Sequence, residues 1–412
     1  MNKMKTLFIA LLCMGVGTLS AQTADSTQIS PWTKEGFAGL KLTQVSLTNW
    51  AAGGDNSVAF DLQGTYQINY KKLPQEIILG SETASTVSSR GVYKFPVERK
   101  AMAVYDDHQS SSYDVEHCGW SNLPEDDFIQ HEDLPYCIGE FVWTGFDYLG
   151  EPTPYYTNWP SHSSLFGIID LAGIPKDRYY LYRSHWNKAE KTLHILPHWT
   201  WPGREGEVTP VFVYTNYPSA ELFINGKSQG KRTKDLSIGI DSSYTEAAQK
   251  SFERQKRYRL MWMDAIYEPG EVKVVAYDKN GKAVAEKVVR TAGKPHHIEL
   301  VSNCNELTAD GKDLAYVTVK VVDKDGNLCP ADNRQINFSV KGTGKYRAAA
   351  NGDPTNLEQF HLPKMHAFNG MLTAILQAGE TAGEIVFTGW LCPQDPFQNR
   401  ALRQDAQQAV QW

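Results

Sequence analysis

Two apolar stretches of this chain end in side chains that can do chemistry. Ile77-Ile78-Leu79-Gly80-Ser81-Glu82 delivers a carboxylate. Tyr136-Cys137-Ile138-Gly139-Glu140-Phe141-Val142-Trp143 delivers an indole, followed by Phe146, Asp147, Tyr148 and Glu151. A short β-rich apolar run with a glycine just before a carboxylate reads as a buried parallel strand whose last residue enters a pocket. If both runs are strands of one (β/α)8 barrel, Glu82 and the segment from Trp143 to Glu151 share the C-terminal mouth. Sugar rings suit such a mouth, because their hydroxyls need charged acceptors and their C–H faces stack on indole and phenol rings. Read by itself, Glu82 fits equally an exposed carboxylate at a strand end.

Longer motifs narrow the choice. They are Gly80-Ser81-Glu82-Thr83-Ala84-Ser85 with Ser89-Arg90-Gly91-Val92-Tyr93, then Gly139 to Pro152, Phe166-Gly167-Ile168-Ile169-Asp170, and Glu221-Leu222-Phe223-Ile224-Asn225-Gly226. Over about residues 77–387 the chain resembles the C-terminal part of glycoside hydrolase family 2 β-galactosidases of the long, multi-module kind. The resemblance implies that Glu82 is the nucleophile at the end of the seventh barrel strand, and that Trp143 is the aromatic floor of the sugar subsite at the eighth. Asp147 and Glu151 would hold substrate hydroxyls, a role given by position. At His162 the family pattern leads to an expectation of Arg, so the rim of the subsite departs from it there.

Retaining glycosidases need a second carboxyl about 5–5.5 Å from the nucleophile. In the family that residue belongs to an Asn-Glu pair on the fourth strand, far upstream. A whole barrel takes about 250 residues, and only 76 residues precede Ile77 here. The expectation is a β-galactosidase-like chain that lacks its acid/base and is inactive as it stands. The competing expectation is a non-catalytic secreted β-sandwich protein that binds glycans or proteins.

The remaining segments give the organisation. Residues 1–21 read as a secretory signal, with Lys3 and Lys5 before the apolar Leu7 to Val16, which is too short to span a bilayer. A periplasmic or secreted chain, or one associated with the outer membrane, follows. In residues 22–72 the alternation Val58, Phe60, Leu62, Gly64, Tyr66, Ile68, Tyr70 after the turn Gly53-Gly54-Asp55-Asn56 has the period of a transmembrane β-strand. The stretch from Gly36 to Gly54 resembles the start of a bacterial outer-membrane protein family of unknown function, so a junction between two proteins is expected near Lys72 and Leu73. An amphipathic strand pair of a soluble sheet is the plainer reading. Either way, open strand edges predict self-association.

Residues 73–201 are then the C-terminal remnant of the barrel, with a helix expected over Val97 to Tyr105 and an acidic loop containing Asp106, Asp107, Glu125, Asp126 and Asp127. Those carboxylates with His108 and His117 match no ligand spacing, so no metal is expected, and the resemblance implies no tightly bound cofactor. The aromatic and charged stretch His198 to Glu205 fits either a reach over the mouth or a domain interface. Residues 202–293 and 294–388 each read as an immunoglobulin-like β-sandwich, from alternating strands and the turns Asn225-Gly226, Asn280-Gly281 and Asp325-Gly326. The fold class expected is therefore multidomain: α/β, as the last strands of a partial barrel, followed by all-β. Tyr244 to Arg259 looks helical, and its basic cluster Arg254, Lys256, Arg257, Arg259 reads as a solvated face. Residues 389–412 read as a foreign, disordered tail. The six cysteines show no metal spacing, and the net charge of −6 gives no reason to expect nucleic acid. A carbohydrate partner, a β-galactoside, is what the site residues call for.

Overall fold

The computed structural model describes residues 77–240 and 252–392 with their side chains, and the backbone of strands at 32–45, 57–70 and 408–411. The expected signal, residues 1–21, and the residues around the expected junction lie outside the described residues. Two units are separable, Met1–Ile78 and Leu79–Trp412.

In the first unit, β1 (Trp32–Val45) and β2 (Ser57–Tyr70) form an antiparallel hairpin in unbroken register from Trp32 opposite Tyr70 to Val45 opposite Ser57. The alternating run thus does form a strand paired with a second one, while the expected turn Gly53-Gly54-Asp55-Asn56 lies outside the described residues.

The second unit begins with a βαβα series. β3 (Ile78–Thr83) is followed by two short strands, β4 (Lys100–Ala101) and β5 (Glu116–His117), then α1 (Pro124–Asp133), β6 (Cys137–Val142) and α2 (Asp177–Trp186). β3 and β6 are neighbours in one sheet. Leu79 lies beside Gly139, Gly80 beside Glu140, and the Trp143 amide donates to the Thr83 carbonyl at 3.1 Å. The constant sequence offset of those contacts makes the pair parallel, and a parallel pair needs a long crossover such as the one that carries α1.

The expected helix over Val97 to Tyr105 is absent. Lys100 and Ala101 instead pair in parallel with Glu116 and His117, and Arg99 is drawn onto Asp126. The expected acidic loop is corrected too. Pro124 and the acidic Glu125, Asp126 and Asp127 form the first turn of α1, where a proline is tolerated and negative charge favours the helix dipole.

Two sandwiches follow. In the first, β7 (Leu193–Leu196), β8 (Val211–Thr215) and β11 (Arg259–Trp262) form one sheet in the order β11-β8-β7; β9 (Ser219–Ile224), β10 (Lys227–Thr233), β12 (Glu271–Tyr277) and β13 (Ala283–Arg290) form the other. The sandwich therefore starts with Leu193, ahead of the expected boundary at 202. β8 is buried on both faces: Val211 and Val213 enter the sandwich core with Leu222, Trp262 and Val274, whereas Phe212 and Tyr214 pack against Tyr113, Phe128 and Leu181 of the βαβα unit. That double burial is why Val211 to Tyr214 reads as a continuous apolar run. In the turn, Asn225 and Gly226 both have positive φ, 49° and 78°, which asparagine and glycine tolerate.

The second sandwich stacks β14 (His297–Ser302), β15 (Leu314–Val322), β17 (Lys345–Ala350) and β19 (Met371–Gln377) on β16 (Gln335–Gly342), β18 (Lys364–His366) and β20 (Ile385–Leu391). Its core joins Val317, Val319 and Leu372 to Ile336, Phe338 and Phe387. β20 runs through Leu391, and β21 (Gln408–Gln411) pairs with it from Val386–Gln411 to Gly389–Gln408, so the expected break after Thr388 and a wholly disordered tail are both corrected.

The basic cluster is not a solvated face. Arg254 pairs with Asp126, Arg257 with Glu132 and Asp133, and Arg259 with Glu125, so the cluster binds the first sandwich to α1; Lys256 alone pairs at the surface, with Glu253. Arg254 to Arg257 form a single 3-10 turn, Arg259 opens a strand, and residues 244–251 of the expected helix lie outside the described residues. The stretch after His198 is an interface: Trp199 is buried in the sandwich core, and Trp201 packs on Tyr93, Phe95 and His198.

Candidate active site

Parallel β3 and β6 bring Glu82 and Trp143 to the same end of the pair, as the sequence leads one to expect. Glu82 is exposed, one residue before the Thr83 carbonyl that receives the Trp143 amide. Trp143 is half-buried, edge-on to Tyr148 at 6.2 Å between centroids. Both rings pack on the cluster of Tyr155, Leu165 and Phe166. Trp120, 57% exposed, lies edge-on to Phe166 at 6.4 Å and extends the aromatic wall.

Glu151 is exposed and accepts a hydrogen bond from the Tyr148 hydroxyl. Burial first, and then Glu151, push the Tyr148 phenol up to about 12, so it stays a donor at neutral pH. His162 sits beside this segment. Its carbonyl receives the Gly150 amide at 2.7 Å and its own amide donates to the Pro354 carbonyl of the second sandwich at 3.1 Å.

Asp147 is a correction. It does not face open space: its carboxylate lies 2.5 Å from the Lys176 ammonium and accepts from the Gly167 amide at 2.7 Å and the Ser164 hydroxyl at 3.2 Å. Both members of the ion pair are buried, which closes Asp147 to a substrate hydroxyl. Burial pushes the Asp147 carboxyl up and the Lys176 ammonium down, and each charge opposes the shift in the other. Lys176 also donates to the carbonyls of Ser88 and Leu165, so the pair ties the loop after β6 to the segment after β3.

A buried polar set next to Thr83, the neighbour of Glu82 in the chain, is not evident from the sequence. The Thr83 hydroxyl donates to Glu140 at 2.5 Å, His131 lies 3.6 Å from the same carboxylate, and the Asn122 amide donates to Asp127 at 2.6 Å. Burial raises Glu140 and pushes Asp127 up to about 7, against the pull of Asn122. The signal was there for Glu140, which is one residue from Gly139 within the strand motif; nothing local marks Asp127, which looks like one acid among several.

A raised carboxyl costs stability once the unfolded chain has ionised. The unfolded carboxyl loses its proton near pH 4 and the folded one near 7, so this contribution falls as pH rises through that window and is flat above it. Asp127→Asn keeps an acceptor for Asn122 and removes the penalty. Its stability gain over the parent is expected to be small at pH 4.5 and on the order of 2 kcal/mol at pH 8. Thermal melts at both values check this, and an equal gain at the two would contradict it.

Among the described residues no group of three or more His, Cys, Asp or Glu side chains is arranged to hold a metal ion, and the five cysteines from Cys118 to Cys392 are free thiols. Also among them, no helix is long and apolar enough to cross a membrane, which says nothing of strands.

Residues 298–389 match the family model glycoside hydrolase family 2 C-terminal domain 5, and residues 206–285 match a domain of unknown function (DUF4982). A β-galactosidase of Bacteroides ovatus, BoGH2A, is 40% identical over 325 residues, 76% of this chain and 35% of that protein. The chain carries a glycoside hydrolase family 2 fragment. A β-galactosidase of Thermoanaerobacter pseudethanolicus is 27% identical over 52% of the chain, and a β-glucuronidase of Formosa agariphila 24% over 52%. Among solved structures, a β-glycosidase from Bacteroides vulgatus superposes with a TM-score of 0.66 at 28% identity, covering 82% of this chain and 42% of that one. The mostly-β fragment with few helices thus matches family 2 structures. It spans 35%, 28% and 20% of the length of those three curated relatives. Residues 42–77 match a different family, a protein of unknown function (DUF3078).

Proposed function

We propose that residues 79–192 are the last two βα units of a family 2 (β/α)8 barrel, followed by immunoglobulin-like sandwiches, and that the site binds a terminal β-galactoside. The observation that carries this is the meeting of Glu82 and Trp143 at one end of adjacent parallel strands, bridged by the 3.1 Å hydrogen bond between Trp143 and Thr83. In a retaining double displacement the Glu82 carboxylate attacks the anomeric carbon as the glycosidic C–O bond breaks. A second carboxyl protonates the departing oxygen, then takes a proton from the water that cleaves the glycosyl ester. Trp143 supports the sugar face and Glu151, held by Tyr148, accepts hydroxyls.

The same reading makes this chain inactive. Among the described residues β3 and β6 are the two strands assigned to the barrel, where a closed barrel has eight. The Asn-Glu pair that the chain does contain, Asn305-Glu306, is in the second sandwich after β14 rather than on a barrel strand. Side chains that a closed barrel would cover are open: Leu79 is 52% exposed, Ile138 64% and Phe141 65%. Loss of general acid help alone removes about 10²- to 10⁴-fold. The competing function, a non-catalytic secreted protein that binds glycans or proteins, is favoured by those open faces beside two sandwiches with complete cores. Export by residues 1–21, outer-membrane association of the hairpin and self-association through the open edges of β3 and β6 complete the proposal. A sharp monomer peak in gel filtration would count against the last.

Binding can be tested without turnover. Saturation-transfer NMR with methyl β-galactoside should show transfer to the sugar in the parent and none in Trp143→Ala. Transfer that survives in the variant would remove Trp143 from the site. Preference for methyl β-glucuronide would move the substrate class.

A further inference from the structure

A second concave surface lies where the βαβα unit and both sandwiches meet. The cleft has a volume of about 650 Å³ and is lined by α2, β7, β13 and β15 with the turn at Asn327. That is the size range of small-molecule sites. Its shape is set by fixed joints. The Thr291 hydroxyl donates to the Trp199 carbonyl at 2.5 Å, the Ala292 amide to the Thr200 hydroxyl at 2.9 Å, and the Gly293 amide to Asp323 at 2.7 Å.

The cleft has an aromatic platform. The Tyr180 ring stacks on the His194 ring at 3.9 Å and 9°, His194 is held by Asp177 at 2.6 Å, and the Tyr214 ring lies behind at 6.3 Å. It also has cations from two modules, Lys287 on β13 and Lys320 on β15. Among the described residues neither makes an ion pair within 4 Å, although Glu299 lies opposite Lys320 across the strands. The acid lining the cleft is otherwise used: Asp177 holds His194 and accepts from the Tyr93 hydroxyl.

We propose that this cleft is a non-catalytic binding site for an acidic oligosaccharide, with a sugar C–H face on Tyr180 and carboxylates between Lys287 and Lys320. The site uses neither Glu82 nor Trp143, so it stands or falls apart from the β-galactoside reading.

The test is calorimetric titration of the full chain with trigalacturonate and with neutral β-1,4-galactotriose, at 20 and 200 mM NaCl. Trigalacturonate is expected to bind at least tenfold more tightly than the neutral trisaccharide, and to weaken with salt. Lys287→Ala/Lys320→Ala, changed at partly or fully exposed positions, and Tyr180→Ala should each weaken it at least tenfold; Trp143→Ala should leave it unchanged. The proposal is overturned if the parent does not bind trigalacturonate, if it binds both sugars equally, or if the lysine variant binds as the parent does.

Discussion

Arg259→Met is expected to destabilise the second unit by about 3–5 kcal/mol, the range for breaking a buried ion pair by removing one partner. Arg259 and Glu125 are fully buried, with the guanidinium Nε donating to Glu125 at 2.5 Å. The same group donates to the Tyr113 carbonyl at 3.0 Å and the Tyr214 hydroxyl at 3.1 Å. It also helps to restrain Asp114, whose carboxyl burial still pushes up to about 7. Methionine fills much of the volume and satisfies none of these acceptors, leaving Glu125 charged in an apolar interior. Urea unfolding followed by tryptophan fluorescence reads the loss. Adding Glu125→Leu should restore much of it, since replacing both partners removes the uncompensated charge. A single variant within 1 kcal/mol of the parent would show that the pair contributes little net stability.

Arg90→Met is expected to loosen the second sandwich from the βαβα unit by a similar amount. Arg90 donates to Asp170 at 2.6 Å, the Phe368 carbonyl at 3.0 Å and the Asn351 carbonyl at 2.7 Å, while its own carbonyl receives the Asn369 amide at 2.7 Å. The approach is close enough that a Cβ on Gly352 would meet Asp170 at 2.0 Å, and Gly352 has φ of +81°. Hydrogen exchange at 351–353 and 368–370 should speed up at least a hundredfold, with strands of the sandwich core less affected. Arg90→Lys should rescue little, because a point charge cannot span three acceptors in a fixed fork. Unchanged exchange in Arg90→Met would mean that the apolar contacts alone hold the modules.

These two residues also mark where the sequence could and could not be read. Alternation such as Val272, Val274, Ala276 and turns such as Asn225-Gly226 are local, and the strands they foretell are present. The meeting of Glu82 and Trp143 at one end of a strand pair was legible because each ends a short apolar run. The acids of α1 and the basic run at Arg254 to Arg259 read as solvated because each is polar in its own window; their partners lie more than 120 residues away, and pairing inverts the exposure of both. Asp147 was misassigned for the same reason, since Lys176 gives no sign in the sequence of reaching it. Val97 to Tyr105 has apolar spacing that suits a helix, but the chain there is claimed by Glu116, His117 and Asp126.

The central proposal is that Glu82 is a family 2 nucleophile standing without the acid that its chemistry needs. It is tested most directly by hydrolysis of an aryl β-galactoside by the purified chain beside its Glu82→Gln variant. The account predicts that neither releases aryl alcohol above the uncatalysed rate. Activity in the parent that disappears in Glu82→Gln would contradict it, and would mean that the proton donor is supplied from somewhere in or bound to this chain.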